Sequence, residues 1–333
     1  MKTLSQLKMV RDSRTGRRLG SGGWLRPARW VAGIILAISL VHVASADDDK
    51  RINRCEQTAE KALISCQSQA RSDYWLALAK CDNLADPAER TACRKQAAAD
   101  QKEAFNLCKE QQDAREDVCD RLGGAPYDPA IRASNFVATI DNPYFPLTPG
   151  TTYTYEGQTA EGLERAVKAV TRNTKLILGV TCVEIRDVVT LDGSVIEDTL
   201  DWFAQDRQGN VWYFGEYSQR INGGFVVSLA GSWVGGVDGA KPGIVMKAHP
   251  AVRDLYHQEF YLGTAEDIGE VLGLTATATV PAGTFTQCVQ TKDTTPLEPD
   301  VLEHKFYAPG VGFVLAIHPD NGERLELIRI DRQ

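Results

Sequence analysis

Six of the eight cysteines constrain this chain more than any other feature: Cys55, Cys66, Cys81, Cys93, Cys108 and Cys119 are spaced symmetrically about residue 87. Cys55 and Cys66 lie 11 residues apart. On a helix that is about 16 Å along the axis, far beyond the roughly 7 Å between Cα atoms that a disulfide can span. Bridges must therefore cross between helices. Of the connectivities open to six cysteines, only 55–119, 66–108 and 81–93 puts every pair at equal height on two antiparallel helices. The 15-residue interval from Cys66 to Cys81 drifts about 60° around an ideal helix, so the hairpin is expected to bend, cross or break near Ser72-Asp73.

The residues between the cysteines support two helices. Ile52, Cys55, Ala59, Ala62, Cys66 and Ala70 recur every three or four positions, which is one helical stripe, and the first helix is expected to run to about Cys81. Asp86-Pro87-Ala88-Glu89 then starts a second helix, with Asp as N-cap, Pro in the first turn and Glu placed for a capping box. Gly123-Gly124 stops it. Residues 50–122 thus read as a disulfide-stapled helical hairpin, a structural or interaction module whose apolar run Tyr74–Leu78 is a candidate contact surface.

Residues 1–46 read as a signal peptide. Eight basic residues and one acidic residue, Asp12, precede an uncharged apolar run from Trp30 to Val43 and then Ala44-Ser45-Ala46. The run is shorter than the roughly 20 residues of a membrane-spanning helix, so no stable span is expected after cleavage. With the leader's +7 removed from the total of −7, the mature chain carries −14. That charge argues against nucleic-acid partners. An even cysteine count behind a signal peptide indicates an oxidising, secreted or periplasmic location.

Composition changes after residue 124. Five prolines between Pro126 and Pro149 predict an extended surface segment before strands begin near Thr151. Turn signals follow at Glu161-Gly162, Asp192-Gly193, Asp206–Asn210, Asn222-Gly223 and Asn321-Gly322. The fold class is therefore α+β: the stapled hairpin, then an antiparallel β meander of eight to eleven strands over residues 126–333, curved into a half-barrel or barrel. In Thr181–Val189, Val183, Ile185, Asp187 and Val189 share one parity while Cys182 sits with Glu184 and Arg186. Cys288 has the same polar parity, consistent with a Cys182–Cys288 bridge.

Five segments of this half carry a resemblance: Asn142–Gly150 (NPYFPLTPG), Glu197–Asp206, Gly209–Glu216, Val280–Phe285 (VPAGTF) and Tyr307–Gly312 (YAPGVG). They resemble a family of secreted bacterial β-rich proteins, which implies the fold and no activity. The VPAGTF and YAPGVG pair is more distantly similar to periplasmic half-barrels of the lipoprotein-carrier kind, and that similarity implies apolar-ligand binding by analogy of fold.

No nucleophile elbow, zinc-binding helix or phosphate loop is written in the chain, and no cofactor or metal is indicated. The candidate ligand-binding residues are carboxylates interleaved with aromatics: Asp198, Asp201, Trp202, Trp212 and Glu216, with Glu259 and His304 as a second set. Asp198 shares parity with Ile196, Leu200 and Trp202, which would place a carboxylate on the apolar face and raise its pKa. His304 lies between Leu302 and Phe306 by parity. Three functions compete. The first is a non-catalytic binding protein whose curved sheet holds an apolar or aromatic ligand and whose hairpin covers it. The second is a hydrolytic or metal-binding protein using these Asp, Glu and His residues. The third is a structural protein meeting an envelope partner through the hairpin.

Overall fold

The three bridges form as the spacing requires. Cys55–Cys119, Cys66–Cys108 and Cys81–Cys93 join α1 (Arg54–Asp82) to α2 (Pro87–Leu122), with Cα separations of 5.6, 5.7 and 5.5 Å. The computed structural model describes residues 53–332, and the signal-peptide reading of residues 1–46 lies outside them. At the head of α2 the Asp86 carboxylate accepts from the Glu89 amide at 2.8 Å, and Pro87 occupies the first turn. Gly123, at φ 95°, ends the helix, donating its amide to the Cys119 carbonyl at 2.8 Å. The expected break at Ser72-Asp73 is absent, since α1 is one uninterrupted helix. The same 15-residue interval recurs on α2 between Cys93 and Cys108, so both cysteine seams rotate together and neither helix has to break.

Sixteen strands form one antiparallel sheet. A first meander comprises β2 (Thr151–Gln158), β3 (Leu163–Ile177), β4 (Val180–Leu191), β5 (Ser194–Asp206) and β6 (Val211–Asn222). A second comprises β12 (Ile268–Val280), β13 (Gly283–Thr295), β14 (Glu298–Ala308), β15 (Gly312–Ile317) and β16 (Arg324–Arg332). One seam between them is β16 on β2, with Leu327 opposite Tyr155. The other runs through short strands: β9 (Lys241–Met246) pairs with β6 and with β11 (Glu259–Phe260), while β10 (Leu255–His257) pairs with β12. Only Gln258 separates β10 from β11, so the sheet is a nearly closed barrel. At this seam a Cβ on Gly243 would lie 2.4 Å from the Gln258 carbonyl carbon, so only glycine lets the backbones approach.

The strand count exceeds the eight to eleven expected. The extra members are short pieces: β1 (Phe136–Val137), β7 (Phe225–Ser228), β8 (Trp233–Val234), β10 and β11, of which only β7 follows a turn signal. The β3–β4 turn also had no signal, because Leu178 takes the left-handed conformation (φ 50°) ahead of Gly179. At the tip between β6 and β7, Gly223-Gly224 makes the turn and Asn222 stays in the strand. Gly215 is required by β8: a Cβ there would lie 2.4 Å from the Trp233 carbonyl oxygen.

Cys182 and Cys288 do not bridge; both are buried free thiols. They sit on outer faces of β4 and β13, which are six strands apart along the sheet, or roughly 29 Å at about 4.8 Å per strand. Shared parity in a closed sheet puts such residues on walls whose outer faces point apart. Cys182 instead packs with Ile177, Val180, Trp202, Ala204 and Phe214, an apolar layer covered by Ile131 and Phe136. Burial pushes its thiol pKa up to about 12.

Candidate functional site

The lumen, where a barrel of this class would be expected to hold a ligand, carries an aromatic plug and buried ion pairs. At one end Phe145 packs against Phe203 and Tyr307, with ring centroids 5.4 and 6.3 Å away. The segment carrying it is fixed by Gln205, whose Oε1 accepts from the Asp141 and Asn142 amides at 2.9 and 2.8 Å. The free space left beside Phe145, Tyr155, Lys168 and Phe313 is only about 40 Å³, well below the roughly 300–1,000 Å³ of small-molecule sites.

Farther in, the lumen is charged. Lys168 on β3 pairs with Asp187 directly opposite on β4, and both are buried. On β14 Lys305 lies 2.8 Å from Asp293 and 3.5 Å from Glu303, and His318 lies 3.0 Å from Glu303. Glu164 is also buried here; burial outweighs the Lys168 charge and raises its pKa to about 7. The Tyr213 hydroxyl donates to Asp201, whose pKa burial raises. Trp233 Nε1 donates to Glu259 at 2.8 Å, and burial holds the pKa of Glu259 well above the usual carboxylate range.

The candidate residues separate onto two faces of the sheet. Asp201 and Glu216 are cross-strand neighbours on the lumen side, and Glu259 joins them through the electrostatics of Tyr213, on which all three act. Asp198, Trp202, Trp212 and His304 lie on the outer side. Asp198 is not a carboxylate on an apolar inner face: Arg186 grips it with two hydrogen bonds of 2.9 and 2.6 Å at a solvent-exposed site. The tryptophan-bearing parity of β5 is the outer one. Trp202 Nε1 donates to Glu184 at 3.2 Å, and Lys175 Nζ stands 3.4 Å above its ring. Trp212 donates to Asp206 at 2.8 Å. His304 faces outward opposite Lys292, while Glu303, Lys305 and Tyr307 of the same strand point inward. It therefore does not join Glu259 in a site. Because Arg186 and Asp198 are hydrated, Asp198→Asn should change unfolding free energy by no more than about 1 kcal/mol. Urea denaturation tests this; a loss of 3 kcal/mol would mean that the pair is shielded from water.

A cavity of about 450 Å³ lies at the junction of hairpin and barrel. Its helical wall is Thr58 and Ala59 of α1 with Val118 and Leu122 of α2. The proline-rich connection supplies Pro126, Tyr127 and Pro129, and the barrel adds Trp212, Ile244, Leu255, Phe260, Leu262 and Ile268. At its edge Arg115 makes a bidentate pair with Glu266 at 2.8 and 2.7 Å, both side chains buried. Lys241 Nζ donates to the Tyr127 carbonyl at 2.6 Å and to Asp128 at 2.9 Å, and the Tyr127 hydroxyl donates to the Pro242 carbonyl at 2.8 Å. His257 packs against Tyr127 with tilted rings, centroids 4.3 Å apart, and burial lowers its pKa to about 4. Of the sequence candidates only Trp212 lines this cavity. Arg115, Tyr127 and Glu266 were missed because nothing local distinguishes a buried arginine on a charged helix, or a tyrosine among prolines, from a surface one.

A further groove of about 350 Å³ is lined by Trp202, Glu216, Lys175 and Trp233, the candidates Trp202 and Glu216 meeting there across the edge of the sheet's two faces. Among the described residues no cluster of three or more His, Cys, Asp or Glu side chains has the arrangement of a metal site, and no helix is long and apolar enough to cross a membrane. No family model matches the chain, and no curated protein matches it. Among solved structures it is similar to a "putative lipoprotein" from Parabacteroides distasonis ATCC 8503, at 16% identity over 56% of this chain and 98% of that one, with a TM-score of 0.32. A likeness of that size leaves the function to be argued from the residues themselves.

Proposed function

We propose that the protein is a secreted or periplasmic, non-catalytic binding protein for a small apolar or aromatic ligand, held between the stapled hairpin and the β domain. The observation that carries this reading is the junction cavity: about 450 Å³, walled mainly by apolar and aromatic side chains, with few polar groups at its edge. Small-molecule sites have this size and lining. The lumen favours the same reading, since the space beside its aromatic plug is only about 40 Å³ and its charged side chains are buried. In this reading the residue 50–122 module is the cover and the residue 126–333 module the floor. The bridges rigidify the cover before any ligand arrives, which lowers the ordering cost of binding. Three disulfides in the cover fit an oxidising compartment.

The test uses N-phenyl-1-naphthylamine, an uncharged dye that fluoresces in apolar surroundings. The wild-type protein should bind it saturably. Val118→Trp, which places an indole in the cavity from a half-buried helix position, should weaken binding at least tenfold while shifting Tm by only a few degrees. Undiminished binding by the variant, or no saturable binding by the wild type, would remove the junction cavity as the site.

A further inference from the structure

The polar groups around the junction cavity are not equivalent. Arg115 is charge-paired with the carboxylate of Glu266 through two hydrogen bonds. Lys241 is held by the Tyr127 carbonyl and Asp128, and the Tyr127 hydroxyl by the Pro242 carbonyl. Each cation at the site therefore already has its anion. The Tyr256 hydroxyl lacks a hydrogen-bond partner among the described residues, but its electrostatic neighbours are Asp293 and Tyr307, which belong to the lumen. His257 is different. Its ring lines the cavity between Tyr127 and Phe260, 4.3 and 5.3 Å from their centroids; Nδ1 is sealed from solvent, and Nε2, which is not sealed and has no hydrogen-bond partner among the described residues, is the nitrogen a ligand can reach.

Resting on the binding reading above, we propose that the cavity selects an uncharged ring compound bearing one hydroxyl group, which hydrogen-bonds the His257 imidazole. Three physical arguments lead there. A neutral imidazole, which is the form this burial favours, presents Nε2 as donor or acceptor according to its tautomer, and a hydroxyl complements both. A pure hydrocarbon would fill the cavity but leave the imidazole unsatisfied, a deficit of roughly tenfold in affinity. A carboxylate would be buried with no free cation to meet it, because Arg115 and Lys241 are already neutralised, and an uncompensated buried anion is disfavoured more strongly still. The aromatic lining of Tyr127, Trp212 and Phe260 suits a flat ring body.

Three probes of one shape separate the possibilities: naphthalene, 2-naphthol and 2-naphthoate, each titrated at pH 7 into the full chain with its disulfides intact. Wild-type protein should bind 2-naphthol about tenfold or more tighter than naphthalene, and 2-naphthoate weakest. His257→Phe should leave naphthalene affinity within about twofold and bring 2-naphthol down to the same value. Tightest binding of 2-naphthoate, equal binding of 2-naphthol and naphthalene by wild type, or a 2-naphthol preference that survives in His257→Phe would each overturn the selectivity while leaving the cavity as a binding site. Failure of all three probes to bind the wild type would overturn the binding reading itself. The wild-type ranking decides the proposal even if the variant does not fold.

Discussion

Arg115→Met should cost the protein about 3–5 kcal/mol of unfolding free energy, because it removes one half of a buried ion pair and strands the other. Arg115 and Glu266 have side-chain exposures of 6% and 5%, so neither charge is solvated in its partner's absence. After the substitution Glu266 would keep only the Gly263 amide, at 2.6 Å. The other links between α2 and the β domain are weaker. Gln111 donates to the Leu297 carbonyl at 2.9 Å, and Arg121 meets Glu270 at 2.8 Å in a partly hydrated setting. The hairpin keeps its own three bridges, so the loss falls on docking and on the barrel it covers. Dye binding at the junction should fall with it. Adding Glu266→Met should recover much of the stability, since a buried pair replaced by apolar groups is often neutral. Arg94→Ala, which breaks an exposed pair with Asp82, should cost less than about 1 kcal/mol. Urea denaturation of the set decides: a loss below 1 kcal/mol for Arg115→Met would show that the pair is not what docks the hairpin.

The hairpin was legible because a disulfide imposes distances, and distances between helical positions follow from residue number alone. The strands were legible where a polar turn former preceded the glycine, as at Asp192-Gly193 (φ 47° and 81°), and illegible where Leu178 took the same conformation ahead of Gly179. Site residues were harder, because parity sorts a strand into two faces without saying which is inside. In β4 the apolar parity of Val183, Ile185 and Val189 does face the lumen. In β14 the inward parity is Glu303, Lys305 and Tyr307, and His304 lies outside. The usual inference reverses there because the lumen contains ion pairs, while outer apolar positions such as Cys182 and Trp202 are covered by residues 131–136. The junction cavity was beyond reach for a related reason. Its walls come from segments as distant in sequence as Thr58, Val118, Tyr127, Trp212 and His257, and no local pattern records their meeting.

That charged lumen gives the second large effect. Lys305→Met keeps the side chain's volume approximately and removes its charge, leaving Asp293 and Glu303 facing each other with 6% and 2% side-chain exposure. Burial alone would lower the lysine pKa, but Asp293 and Glu303 outweigh it and hold the ammonium well above 10.5, so the wild-type cation is firmly in place. Its removal should cost at least about 3 kcal/mol at pH 8. The direction of the pH dependence follows from linkage. In the variant the two buried carboxylates would titrate above their unfolded values of about 4, so the folded state would bind more protons than the unfolded state and stability would rise on acidification. The wild type has its own term: burial lowers the pKa of His318, but Glu303 outweighs that and raises it, so this stabilisation is full below about pH 6.5 and is lost as pH rises through the raised value. The informative quantity is thus the gap between the two proteins. It should narrow as pH falls from 8 to 5, because protonation of Asp293 and Glu303 relieves only the variant of uncompensated charge. Chemical denaturation at several pH values measures it. A gap that stays constant would assign the loss to packing, and a gap under 1 kcal/mol at pH 8 would mean that water reaches these carboxylates.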